Sequence, residues 1–138
     1  VFVGVIGVAA SAACPSGWQS RGTKCYKLMT PPRTWTEQNN MCVIQLQGTL
    51  ASINSAADNE IIRSIAGGQE IYTGGLSYAR GPWSWSDHTQ FGVYKNWVNG
   101  TEPAPTPARP CIKMNPSGKW FANCCRVTPA AAICVKQA

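Results

Sequence analysis

Seven cysteines stand at positions 14, 25, 42, 111, 124, 125 and 134 of a chain of 138 residues. That density points to an oxidising compartment, where thiols are joined as disulfides. A zinc site would need paired cysteine or cysteine/histidine spacings; no C-x-x-C occurs, and there is a single histidine, His88. Disulfides are therefore expected, and the odd count leaves one thiol over. The length suits one domain with a real core. Only 13% of residues are charged, with 13 Gly and 10 Pro, which favours short strands, turns and long loops over long solvated helices. Six tryptophans supply a heavy aromatic load, most of it core and some of it available to a binding face.

The net charge is +6, from 12 Lys and Arg against 6 Asp and Glu, and the basic residues are scattered rather than clustered. No run of them marks a nucleic-acid arm. A soluble basic secreted protein is expected, with weak attraction to anionic glycans or microbial surfaces as the sharper reading.

Residues 1–13 read VFVGVIGVAASAA. An apolar run ending in small residues fits a truncated signal peptide cleaved near Ala13, or else an N-terminal strand; it is too short to span a bilayer comfortably, so no stable membrane insertion is expected. Cys14 and Cys25 flank a turn and suggest a small stapled hairpin. Pro31-Pro32 breaks the chain before a helix. Thr34-Trp35-Thr36-Glu37 is a capping box, and Trp35, Cys42 and Leu46 share one helical face, with Gly48 expected to end the helix in a left-handed conformation. Leu50–Ile53 reads as a strand. Ser55 opens a second helix with Ala57, Ile61 and Ile65 on one face, stopped by Gly67-Gly68.

Tyr72–Leu76 is the next strand, and Trp83-Ser84-Trp85-Ser86-Asp87 alternates as a strand with one buried face does. Residues 91–97 are aromatic-rich. Between Val98 and Pro110, prolines 103, 105, 107 and 110 exclude a regular ladder and mark a loop of functional length. Cys111–Met114, the turn Asn115-Pro116-Ser117-Gly118 and Lys119–Ala122 form a hairpin, which Cys124 or Cys125 lies close enough to staple to Cys111. Ala132–Val135 is a last short strand.

Taken in order, these pieces resemble a C-type lectin-like domain. The matching stretches are Cys14-Pro15-Ser16-Gly17-Trp18, Cys25-Tyr26, the Trp35–Cys42 helix and Gly48-Thr49-Leu50-Ala51-Ser52-Ile53. They continue with Tyr72-Thr73-Gly74-Gly75-Leu76, Trp83–Asp87, Asn96-Trp97, Glu102-Pro103, Cys111 and Ile133-Cys134. The resemblance covers 14–138 and implies an α+β fold with two helices, two small antiparallel sheets and a long loop. Six cysteines allow fifteen connectivities. The resemblance implies Cys42–Cys134, Cys111–Cys125 and an extra Cys14–Cys25, leaving Cys124 as the spare thiol, either buried and unreactive or linking to another chain.

Sugar-binding members of that family hold a calcium ion with a Glu-Pro-Asn or Gln-Pro-Asp motif, a later loop acid and an Asn-Asp pair after a tryptophan. Here Glu102-Pro103 is followed by Ala104, no acid lies between Pro105 and Pro110, and Trp120 is followed by Phe121 and Ala122. One carboxylate beside the Arg109 guanidinium does not make a calcium site, which needs six to eight oxygens. The expected cofactor is therefore none. Pro103 is expected cis by resemblance, and Glu102 is expected to pair with Arg109 or to be solvated. Asn99-Gly100-Thr101 is a glycosylation sequon.

His88 follows Asp87, but no nucleophile or second histidine accompanies the pair; it reads as a turn residue, and no enzyme is expected. The expected function is calcium-independent recognition of carbohydrate or a surface, in defence. The candidate contacts are Glu102, Arg109, Trp83, Tyr94, Lys95, Lys119 and Phe121. The alternative is a protein-binding or matrix component, a homo-oligomer linked through Cys124. Discrimination lies in whether a non-reducing gel shows a ladder.

Overall fold

The computed structural model describes residues 14–138; the leader or strand expected over 1–13 lies outside the described residues. Strands β1 (Gln19–Arg21) and β2 (Lys24–Arg33) form the first hairpin, and Cys14–Cys25 closes it. Pro31-Pro32 does not break the chain. The strand runs on to Arg33 through a register shift after Met29, because an irregular edge segment tolerates the missing amide protons.

Helix α1 (Trp35–Asn40) opens with the expected box: Thr34 Oγ1 accepts from the Glu37 amide and the Thr34 amide donates to Glu37 Oε1, at 3.3 and 3.0 Å. It continues as a π turn over Met41–Gln45. Trp35 and Cys42 are buried on one face, with Leu46 packed against the same cluster. The left-handed residue after the helix is Gln47, not Gly48. Gly48 is needed for a different reason: a Cβ there would lie 2.7 Å from the Val135 carbonyl oxygen and 2.8 Å from Cys134 Sγ.

Helix α2 (Ala56–Ala66) is capped by the Ser55 hydroxyl and ended by Gly67 at φ 64°. Its buried face is Asn59, Ile62, Ile65 and Ala66; Ala57 is exposed and Ile61 only half-buried. The expected face was thus rotated by about one residue, toward the stripe that meets β8 and the loop tryptophans.

Strands β3 (Thr49–Leu50), β4 (Ile71–Leu76), β5 (Ser84–Trp85), β6 (Cys111–Met114), β7 (Trp120–Asn123) and β8 (Ala130–Gln137) complete the set. Two antiparallel groups are present: β1, β2, β3 around β8, and β5, β6, β7 around β4. A short parallel pairing, Ile71 with Ala131 and Tyr72 with Ala132, joins them into one mixed sheet. β8 is central, and so its run Ala130–Cys134 is fully buried. Cys42–Cys134 ties the first helix to this strand, and Cys111–Cys125 ties the β6–β7 hairpin to the segment after it.

The tryptophans form the floor beneath the long loop. Trp120 is fully buried, with Trp85 and Trp97 edge-on to it at 5.4 and 5.6 Å, and Trp83 packs against Trp97 at 5.6 Å with the ring planes tilted by 45°. The Trp120 indole N–H donates to Asn59 Oδ1 at 2.8 Å, and Asn59 Nδ2 donates to the Gly118 carbonyl at 3.1 Å. One amide thereby locks α2 to the β7 end of the β6–β7 turn. Among the described residues the cis peptide is Thr30–Pro31, so the expected cis bond at Pro103 is not found. Its carbonyl is instead held by the Trp83 indole N–H at 2.9 Å.

Candidate functional site

The loop from Val98 to Pro110 lies over the tryptophan floor and makes two adjoining clefts. One, of 410 Å3, is lined by Trp97, Pro103, Arg109, Phe121 and Ala122 among others. Its neighbour, of 540 Å3, is more polar and is framed by Lys95, Asn96, Asn99, Glu102 and Lys119. The geometry that positions these groups comes from Asn96. Its backbone carbonyl accepts from the Trp120 amide at 2.9 Å, its Nδ2 donates to Gly118 O at 2.7 Å, and its Oδ1 accepts from Lys119 Nζ at 3.0 Å. A single asparagine therefore registers the loop entrance against β7.

The carboxylate of Glu102 pairs with Lys95 Nζ at 2.8 Å, both side chains being part-exposed. The expected partner Arg109 is turned elsewhere: its amide closes a tight turn on Thr106, and the exposed side chain lines the other cleft. Lysine wins because it enters from the segment just before the loop, opposite Glu102, whereas the Thr106–Arg109 turn folds back on itself.

Of the other expected contacts, Lys119 is exposed at the polar cleft and Phe121 is half-buried in the apolar one. Tyr94 packs its ring against Trp120 at 5.9 Å, which limits what it offers outward. Trp83 is 4% exposed, and no face of it is free to stack on a ligand. Its N–H and ring are both engaged by the loop it supports. Asn99 is exposed at φ 60°, with its sequon on the rim of both clefts. His88 also adopts the left-handed region, at φ 69°, as a turn residue there must.

Asn59 and Asn96 were not singled out from the sequence. Asn59 lies at helical spacing from Ile62 and Ala66, so the buried stripe of α2 carries a signal for it. Asn96 belongs to the Asn96-Trp97 pair of the resemblance, but its clamping role has no local signal, because these partners lie more than twenty residues away in β7 and the turn before it.

The donor set does not fit calcium. Ala104, Phe121 and Ala122 supply no side-chain oxygen, and the one carboxylate is already neutralised by an ammonium. Among the described residues no group of three or more His, Cys, Asp or Glu converges elsewhere.

Cys124 is free and half-buried. Amide N–H groups of Arg126, at 3.4 Å, and Val127 hold its thiol below the usual cysteine range, with the Arg126 and Lys113 charges adding to the effect. Cys124 is thus half-buried rather than fully buried.

With this geometry in hand, the kinship is clear. The family model of the lectin C-type domain matches residues 31–136. The chain belongs to the C-type lectin domain family. It is 28% identical over 134 residues to the galactose-specific lectin nattectin of Thalassophryne nattereri, covering 93% of this chain and 83% of that one. It is 33% identical over 103 residues to a snaclec subunit, EMS16 beta of Echis multisquamatus, covering 70% of this chain and 66% of that protein. In structure it is similar to a calcium-independent type II antifreeze protein, with a TM-score of 0.83 at 31% identity, covering 91% of this C-type lectin domain and 95% of that chain. C-type lectin-like domains are in general binding modules rather than enzymes. Among the described residues no helix is long and apolar enough to cross a membrane.

Proposed function

We propose that this C-type lectin domain is a secreted, non-enzymatic recognition module that binds carbohydrate or a biological surface without calcium, in a defence role. The observation that carries this reading is the Lys95–Glu102 ion pair at 2.8 Å. It occupies the only carboxylate in the place where related domains gather calcium ligands. The contacts are then the polar rim, Lys95, Lys119 and Arg109, with the half-buried ring of Phe121 between them. A lectin named for galactose among the relatives supports a sugar as the ligand. A glycan on Asn99 would crowd this rim, so the ligand approaches from the Phe121 side when the sequon is used.

The test is a glycan array run on the purified protein in millimolar calcium and again in EDTA. Binding retained in EDTA supports the reading. Binding abolished by EDTA overturns it, because calcium would then be held by other oxygens.

A second reading is antifreeze activity by the same calcium-free loop face. It is favoured by the likeness to a calcium-independent type II antifreeze protein over nine-tenths of the chain. Thermal hysteresis in the presence of EDTA, with an empty glycan array, would select it.

A further inference from the structure

A third cleft shares no lining residue with the two at the lectin-type rim. It has a volume of 380 Å3 and is floored by Trp35, Leu76, Pro107, Pro110 and the Cys111–Cys125 bridge. It runs, through shared residues Ser77, Pro107 and Pro110, into a shallower hollow of 390 Å3 that contains Arg80. Arg126 stands at the other end. Tyr78 is 70% exposed and lines the cleft, and Val127 is 75% exposed beside Arg126.

Two polar groups on the wall of this cleft are engaged inward, while the exposed Thr36 and Tyr78 carry its free hydroxyls. The Trp35 indole N–H donates to Thr73 O at 2.8 Å, and Ser77 Oγ donates to Gly81 O at 2.6 Å. Among the described residues, by contrast, the guanidinium groups of Arg80 and Arg126 have no ion-pair or hydrogen-bond partner.

The acids cannot supply one. Glu60, Glu70 and Glu102 pair with Arg63, Lys113 and Lys95. Glu37 is engaged by Thr34, Asp58 by the Asn54 amide, and Asp87 by Ser52 and Thr89. These are all six carboxylates of the chain, and none lines the cleft.

We propose that this cleft docks an acidic segment of a partner protein: an aromatic or large apolar side chain seated on the Trp35–Pro107–Pro110 floor, with carboxylates on either side meeting Arg80 and Arg126. Arginine favours this use, since its planar fork matches a carboxylate. The apolar floor separates this partner from a bare polyanion.

Cys124 makes the proposal testable at one atom. It lines the cleft, and the other six cysteines are in disulfides, so it is the single free thiol of the chain. The probe is a fluorescein-labelled synthetic peptide, Glu-Glu-Phe-Glu-Glu, titrated to millimolar concentration with the full chain. The comparison ligands are Gln-Gln-Phe-Gln-Gln, Glu-Glu-Gly-Glu-Glu and a heparin hexasaccharide. Fluorescence polarisation reads binding, and mass spectrometry reads the rate of Cys124 alkylation by N-ethylmaleimide.

The acidic phenylalanine peptide should bind and slow alkylation, while the other three should not protect the thiol. The double variant Arg80→Gln/Arg126→Gln should weaken binding about fivefold, as expected for two part-exposed ion pairs. Equal protection by the neutral peptide or by heparin overturns the proposal, as does unchanged alkylation with the acidic peptide at saturation. The alkylation readout uses the unaltered protein, so it decides the matter even where the variants fail to fold.

Discussion

Lys95 Nζ lies 2.8 Å from Glu102 Oε1, across the mouth of the polar cleft. The pair is part-exposed, so its direct contribution to stability is small, about 0–1 kcal/mol. Its consequence for ligand chemistry is larger, because a carboxylate held by an ammonium is a poor start for a cation site. Millimolar calcium or EDTA should leave the melting temperature unchanged. Glu102→Gln should cost less than about 1 kcal/mol in urea denaturation. A calcium-dependent rise in melting temperature that Glu102→Gln removes would show that the carboxylate does serve a metal.

The Asn59–Trp120 hydrogen bond is buried on both sides, and that changes its weight. Asn59→Ala would leave the Trp120 indole N–H without its acceptor at 2.8 Å, in a site where water does not reach easily. The expected cost is about 2–3 kcal/mol, at the upper end for an orphaned buried donor. Because Trp120 lines the apolar cleft and packs edge-on to Trp85 and Trp97, tryptophan fluorescence should shift in the native state as well as at unfolding. A loss below about 0.5 kcal/mol would mean that the indole finds another partner.

Gly48 faces the backbone of β8 at a distance that admits no side chain. A Cβ at 2.7 Å from Val135 O and 2.8 Å from Cys134 Sγ forces the strand or the disulfide to move. Gly48→Ala should destabilise by about 1–3 kcal/mol, the usual range for overpacking. Gly22→Ala is the contrasting control for space alone, since a Cβ there meets nothing within 4 Å, although its φ of 60° adds backbone strain. Gly48 has no positive φ, so a loss below about 0.5 kcal/mol there would show that β8 and the disulfide move aside at little cost.

Cys124 should react as a thiolate at lower pH than an ordinary cysteine. The Arg126 and Val127 amides donate to sulfur and favour the charged form first, and the Arg126 and Lys113 charges follow. The sign is therefore a lowered folded-state value, with the thiolate fraction already rising below the usual thiol range. Iodoacetamide rates measured against pH should climb earlier than for a short peptide of residues 122–127 with serine in place of Cys125. Coincident profiles would show that the amides do not reach the sulfur in solution.

Much of the architecture was legible because it is written in local patterns. Thr34 and Glu37 are three residues apart, and a capping box needs nothing beyond that. The alternation of Cys111–Met114, the turn at Asn115–Gly118 and the stop at Gly67 are equally local. The family resemblance added the order of elements. The face of α2 was misread by about one residue, because Ala57 and Ile62 differ in burial only through what α2 packs against. Trp83 reads as a candidate contact from the sequence because an aromatic residue beside a loop gives the same pattern whether it lies under that loop or outside it.

The sequence by itself determined that Ala104, Phe121 and Ala122 bring no side-chain oxygen to the loop in any conformation. It also determined the surplus of six positive charges and the odd cysteine. Only the tertiary structure decided that Glu102 belongs to Lys95 rather than Arg109 and that Asn59 and Asn96 clamp the tryptophan floor. It alone leaves Arg80 and Arg126 without counter-charges around an apolar cleft. The physical reason is range: side-chain chemistry and short turns are properties of neighbouring residues, whereas pairing, burial and desolvation depend on which distant segments the sheet brings together.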